Sequence, residues 1–186
     1  MTGVSLEMAK RKSAPSRKSQ KKYFFIVEGC TEENYIRRLK ELYPHHKVDK
    51  PRNCNGGSAK AVLEAAKRFI LKYGNDYLGY IIWFDEDTFS PQDNNLKKSL
   101  QSKSNVEIYM SEPCIEHWLL AHFQPINLSQ ENQCKFYENK LKAYIPHYDK
   151  NDCSVLEKYI NKENVEYAIK SYPEIGEIPK HYFING

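Results

Sequence analysis

Apolar residues along this chain fall into two registers. Unbroken runs occur at residues 23–27 (YFFIV) and 80–84 (YIIWF), and helical spacing dominates the stretches between and after them. Gly79 precedes the second run, the acids Asp85, Glu86 and Asp87 follow it, and Ser90-Pro91 comes next. A short apolar run held between turn residues reads as a strand buried on both faces. After the first run, Glu28-Gly29 makes a turn, and Thr31 followed by Glu32 and Glu33 predicts a helix N-cap with acids in its first turn. Tyr35, Ile36, Leu39, Leu42 and Tyr43 give that helix its apolar side, Arg37, Arg38, Lys40 and Glu41 its polar side, and Pro44 its end.

Residues 45–51 read as a weak strand and 53–58 (NCNGGS) as a loop. A helix is predicted over 59–73, with Val62, Leu63, Ala66, Phe69 and Ile70 inward. Ser90-Pro91 starts a further helix to about residue 102 with Leu96 and Leu100 inward, and 106–110 forms a fourth strand. Ser111-Glu112-Pro113 opens a strongly apolar helix carrying Ile115, Trp118, Leu119, Leu120 and Phe123. Beyond Pro125 the chain turns polar, with short helices expected at 128–145, 153–160 and 165–171, a turn at 148–152, and no clear element after residue 173.

Strands that alternate with helices predict an α/β fold: a mainly parallel four-stranded sheet flanked by helices, with a C-terminal helical extension. The expected organisation is a disordered basic tail over 1–20, an α/β domain over 21–124, and the extension over 125–186. Right-handed crossovers bring the carboxyl ends of the strands to one edge, where open parallel sheets bind ligands. If the first and third strands are neighbours, about 4.8 Å apart, Glu28, Asp85 and Asp87 face one site.

That placement sets the candidate chemistry. Carboxylates packed at a buried strand end repel one another and resist desolvation, so they need a cation or solvent. Asp85-x-Asp87 offers two hard oxygen ligands to Mg²⁺ or Mn²⁺, and such an ion keeps waters and substrate phosphates in its other positions. Glu28 can join the metal shell or transfer protons. Solvated strand-end acids are the plain alternative. Glu116, on its apolar helix, is either a further metal-site residue or a buried acid bonded to the backbone or His117. His117 and His122 lie five positions apart, about 140° around a helix, and so do not share a face; His122 reads as structural. Gly56-Gly57 before a helix either offers N–H groups to an anion or simply turns the chain.

Charge adds one distinction. Residues 1–22 hold seven Lys and Arg against Glu7, a local +6, which leaves −2 of the +4 net charge for the remainder. The basic arm either attracts phosphate backbones or is a solubilising leader. No apolar run reaches the ~20 residues of a membrane span, and the N-terminus lacks the apolar core of a signal peptide, so a cytoplasmic protein is expected. The five cysteines are scattered without a CxxC and read as free thiols. A zinc site from Cys114 and His117 lacks a second ligand pair.

Three motifs, in order, resemble the RloB-like family of bacterial defence-associated proteins. They are Phe-Phe-Ile-Val-Glu-Gly-x-Thr-Glu-x-x-Tyr at 24–35, Trp-Phe-Asp-x-Asp at 83–87, and Ser-x-Pro-Cys-x-Glu-x-Trp-Leu-Leu-x-His-Phe at 111–123. Tyr148-x-Lys150 through Leu156 resembles that family's later pattern. The family is similar to Toprim-fold proteins, so the resemblance implies a Rossmannoid Toprim-like fold and metal-dependent phosphodiester chemistry. By position, Glu28 would be the Toprim glutamate acting as general acid or base, and Asp85 and Asp87 the metal pair. Glu116 falls on an acid of the family motif and is counted with the catalytic candidates. Thr88-Phe89 stands where many Toprim proteins carry a glycine. The implied function is a nuclease acting on DNA or RNA in antiphage defence, with an ATPase or other defence-system partner and self-association both possible. The alternatives are a non-catalytic nucleic-acid-binding or scaffold subunit and a primase-like nucleotidyl transferase.

Overall fold

The computed structural model describes residues 20–126, 133–152, 154–172 and 176–185. The basic arm over 1–19 and the start of the helix expected at 128–145 lie outside those residues. Four parallel strands, β1 (Tyr23–Val27), β2 (Arg52–Asn53), β3 (Gly79–Asp85) and β4 (Val106–Ser111), form one sheet in the order β2-β1-β3-β4. The α/β expectation holds, in an arrangement consistent with a Toprim-like Rossmannoid fold. The first and third strands are neighbours, with Val27 opposite Trp83.

Each apolar run serves two layers because successive strand side chains point to opposite faces. Phe24 and Ile26 of β1 pack with Tyr80, Ile82 and Phe84 of β3 against α2 (Ala59–Tyr73) and the buried Leu100 of α3 (Asn94–Gln101). Phe25, Val27, Ile81 and Trp83 face α1 (Cys30–Leu42), α4 (Ile115–Leu120) and the C-terminal elements. Those elements are α5 (Cys134–Leu141), a tight turn over Val155–Lys158, α6 (Lys162–Ser171) and α7 (Glu177–Pro179), followed by a wide helical turn over Lys180–Ile184.

Five local expectations need correction. Thr31 is not the N-cap of α1: Gly29 is, and its N–H is taken by the Glu32 carboxylate at 3.0 Å. The strand expected at 45–51 is reduced to a single bridge at Val48, and the paired residues are Arg52–Asn53. The helix after β4 starts at Ile115 with Cys114 as its N-cap, so Pro113, which follows a cis Glu112–Pro113 bond, lies outside its first turn. The described residues from 176 on do form structure: Tyr182 and Phe183 are buried against β1, with Tyr182 meeting Tyr23 and Phe25 edge-on. Cys30 is disulfide-bonded, whereas Cys54, Cys114 and Cys134 are free as expected. Spacing along the chain did not reveal which thiol the fold would engage. Among the described residues no helix is long and apolar enough to cross a membrane.

Candidate active site

A cavity of about 410 Å³ opens at the carboxyl edge of the sheet. Glu28 leaves the end of β1, Asp85 closes β3, Glu116 projects from α4, and Glu32 from the first turn of α1; all four line it. Each carboxylate is anchored through one oxygen. Glu28 Oε2 accepts from the Thr88 hydroxyl at 2.9 Å and from the Asp85 N–H at 3.3 Å. Asp85 Oδ1 accepts from the Ile115 N–H at 2.9 Å, and Glu116 Oε1 from the Tyr148 hydroxyl at 3.0 Å. Of the two readings of Glu116, the bond to His117 or the backbone is not the one seen: its partner is a tyrosine 32 positions downstream, and the residue lines the cavity.

Asp87 behaves differently. The chain leaves β3 into a tight turn over Glu86–Thr88, which exposes Asp87 and sets its Oδ2 3.1 Å from the Cys134 thiol. Asp87 therefore stands beside the cavity instead of lining it, though its charge still reaches Glu28 and Asp85.

The electrostatics follow from crowding acids into a desolvated edge. Burial, then the charges of Glu32, Glu116, Glu28 and Asp87, hold the Asp85 carboxyl well above the usual carboxylate range. Burial raises Glu28 as well, opposed by its bonds to Thr88 and the Asp85 N–H and by the nearby Lys150. Glu32 is pushed up to about 7 by burial and by Glu28 and Glu116. Like charges this close call for protons or a cation.

The donor set suits a hard divalent ion. All the donors are carboxylate oxygens, and the anchoring bonds fall on one oxygen of each group, leaving the other for a cation. Among the described residues, no three His, Cys, Asp or Glu side chains stand close enough together to enclose one ion. An ion here would therefore have at most two of these carboxylates as ligands, with water or substrate filling the rest of its shell.

A family model for RloB-like proteins matches residues 23–178. The chain belongs to the RloB-like family. No curated protein and no solved structure matches it. The match runs from the first residue of β1 into α7, so every cavity-lining residue of this RloB-like chain falls within the family domain.

Two site residues escaped the sequence reading as such. Glu32 had an ordinary role as a first-turn helix acid, and the capping bond to Gly29 fills that role even as the same carboxyl faces the cavity. Lys150 lies on a turn distant in sequence, drawn in by Thr31, whose hydroxyl donates to the Lys150 carbonyl at 3.2 Å and lies 3.3 Å from the Tyr148 hydroxyl. The turn at 148–152 was expected from the sequence, but nothing local in it pointed to the carboxylate edge. Gly56 and Gly57 line the cavity with positive φ, but the Gly56 N–H is already bonded to the Glu28 carbonyl at 2.8 Å. Arg38 is tied to the Ile160 carbonyl and Glu41, and Arg37 lies 4.0 Å from Glu33, so neither enters the site. His122 is structural: it is buried between the Trp118 carbonyl and the Tyr35 hydroxyl. His117 faces away from the carboxylates, and burial lowers its proton affinity.

Proposed function

We propose that this RloB-like protein is a divalent-metal-dependent nuclease that cleaves phosphodiester bonds of DNA or RNA, acting in antiphage defence. The observation that carries the reading is the convergence of Glu28, Glu32, Asp85 and Glu116 on one cavity at the carboxyl edge of a parallel sheet. A protein that only bound nucleic acid would gain nothing from carboxylates turned toward phosphate.

Asp85 and Glu28 are the two residues that would hold Mg²⁺ or Mn²⁺, with water and substrate oxygens completing its shell. When bound, the ion supplies charge neutralisation for the phosphodiester and acidifies a coordinated water. Glu28, its Oε2 fixed by Thr88 and the Asp85 N–H, presents its other oxygen to take or return a proton. Its raised proton affinity brings that exchange nearer neutrality. Lys150 supplies the positive charge at the cavity that a phosphate backbone needs. The turn bearing it is tied down through Thr31, Tyr148 and Glu116.

The test is direct. Purified full-length protein is incubated with Mn²⁺ or Mg²⁺ and labelled single- and double-stranded DNA and RNA, alongside Glu28→Gln and Asp85→Asn. Metal-dependent cutting by the wild type, lost in both variants, is the expected result. Full activity in either variant, or no cutting of any substrate, would return the chain to a binding or scaffold role.

A further inference from the structure

A second cavity, of about 420 Å³, lies on the other side of α4, between β4 and α7. Glu116 and His117 are consecutive, yet the first lines the acidic cavity and the second lines this one. The two are close: Asp85 of the acidic cavity pairs in register with Ser111 of the second. Neighbouring strands are about 4.8 Å apart.

The lining has a definite chemistry. Trp83, Tyr109 and Trp118 supply aromatic surface. The Trp83 indole N–H is already donated to the Ser111 hydroxyl at 2.8 Å, and the Tyr109 hydroxyl to Glu107 at 3.0 Å. His117 is 2% exposed. Its Nδ1 donates to the Glu112 carbonyl at 2.7 Å, which leaves Nε2 as an acceptor, and that buried nitrogen has no hydrogen-bond partner. Glu112 and Glu177, both exposed residues, bring two acids to the lining. What this cavity still offers a ligand is therefore π-surface, acceptors and, at Ser111, one hydroxyl donor. Buried polar groups are ordinarily paired, so an orphan acceptor on a residue that lines a ligand-sized cavity, just beneath its accessible surface, points to a donor supplied from there.

We propose that this cavity receives one unstacked base of a nucleic acid, inserted donor edge first, with guanine preferred. A flat ring suits the aromatic walls, as in single-strand recognition generally. Guanine carries N1–H and N2–H₂ side by side, a donor pair that a carboxylate accepts together, while a third acceptor awaits at His117. Phosphate is repelled by Glu112 and Glu177, so the base enters and the backbone stays outside, toward Lys150 and the acidic edge. The proposal rests on the nuclease reading only for the source of the base.

Tryptophan fluorescence of the full-length protein, without metal, is titrated with guanosine, inosine, adenosine, cytidine and uridine monophosphates. Saturable quenching that is strongest for the guanosine nucleotide is expected. Inosine, which lacks the 2-amino group, should bind at least threefold more weakly. His117→Leu and Glu112→Gln should each weaken guanosine binding, the first at least tenfold. Glu112 is exposed, so its variant reports even if His117→Leu folds poorly. Equal affinity for all five nucleotides, no saturable quenching, or wild-type binding by the Glu112 variant overturns the proposal. Guanosine binding without any metal-dependent cutting would defeat the nuclease reading and leave this site standing; cutting without nucleotide discrimination would do the reverse.

Discussion

Two cavities of similar size flank α4, and they are incomplete in opposite ways. In the acidic one the carboxylates are oriented by hydrogen bonds, yet Lys150 is, among the described residues, the one cation lining it against four acids. In the aromatic one no charge is buried, yet one buried acceptor lacks a donor. The difference separates two requirements often treated as one: satisfying a polar group and neutralising a charge. The first cavity asks for a cation, the second for a hydrogen-bond donor on an apolar body. Consecutive residues of a short apolar helix, Glu116 and His117, serve one requirement each.

The largest effect tests whether the acidic cluster is kept for chemistry or for stability. Asp85→Asn and Glu28→Gln should each lower metal-dependent cutting by at least about a hundredfold, the scale of removing a positioned proton-transfer or metal-binding group. The same substitutions should leave the melting temperature unchanged or raised, since each removes a like charge from a crowded edge. Variants that lose activity and melt well below the wild type would instead make these acids structural.

The next effect is on pH. The folded Glu32 carboxyl titrates at about 7 against an ordinary 4.5, so the folded chain keeps a proton that the unfolded chain gives up. That contribution to stability is fully present below about 4.5 and is lost as pH rises through about 7. Asp85 and Glu28, also raised, act in the same direction. His122 opposes them at lower pH: burial lowers it from 6.5 to about 4, so its contribution disappears as pH falls across that interval. The clean window lies roughly between pH 6.5 and 8, where metal-free protein should lose a few degrees of melting temperature. Glu32→Gln should flatten that slope, and millimolar Mn²⁺ should raise the melting point more at the alkaline end. Identical metal shifts at both ends would separate the cation from these carboxylates.

How much of this was legible in the sequence depends on how far each residue's placement depends on long-range contact. The runs at β1 and β3 announced themselves, because a strand buried on both faces has no polar alternation to hide in. Glu28 and Asp85, the first acids after those runs, came to the same cavity. Asp87 did not, because a D-x-D pattern says nothing of the tight turn that swings the second acid toward Cys134. Glu32 was masked by a sufficient local role, and Lys150 by the more than one hundred residues separating it from Thr31. The burial of Tyr182 and Phe183 was hidden by a proline-punctuated segment whose helical turn is too short and too wide to show a 3.6-residue period.

Tyr148→Phe probes the link between that distant turn and the site. The phenol donates to Glu116, so its loss leaves a carboxylate of the crowded cluster with one donor fewer. The expected cost is about 1–3 kcal/mol in urea denaturation, together with reduced cutting as the Lys150 turn loosens. Unchanged stability would show that water replaces the hydroxyl without loss.

The smallest effect sharpens the contrast most. His117→Leu removes the bond from Nδ1 to the Glu112 carbonyl, worth about 0.5–1.5 kcal/mol, and the stacking on Tyr137 at 4.3 Å. It also removes a buried nitrogen that has no partner, whose desolvation already costs about 1–3 kcal/mol. These changes oppose each other, so the net change in unfolding free energy should stay within about 1 kcal/mol. A residue buried as deeply as Glu116 would then be nearly dispensable to the fold, while the Tyr148–Glu116 pair beside it is not. A loss of roughly 3 kcal/mol or more would mean that Nε2 is satisfied within the fold, and the second cavity would lose its reason to hold a ligand.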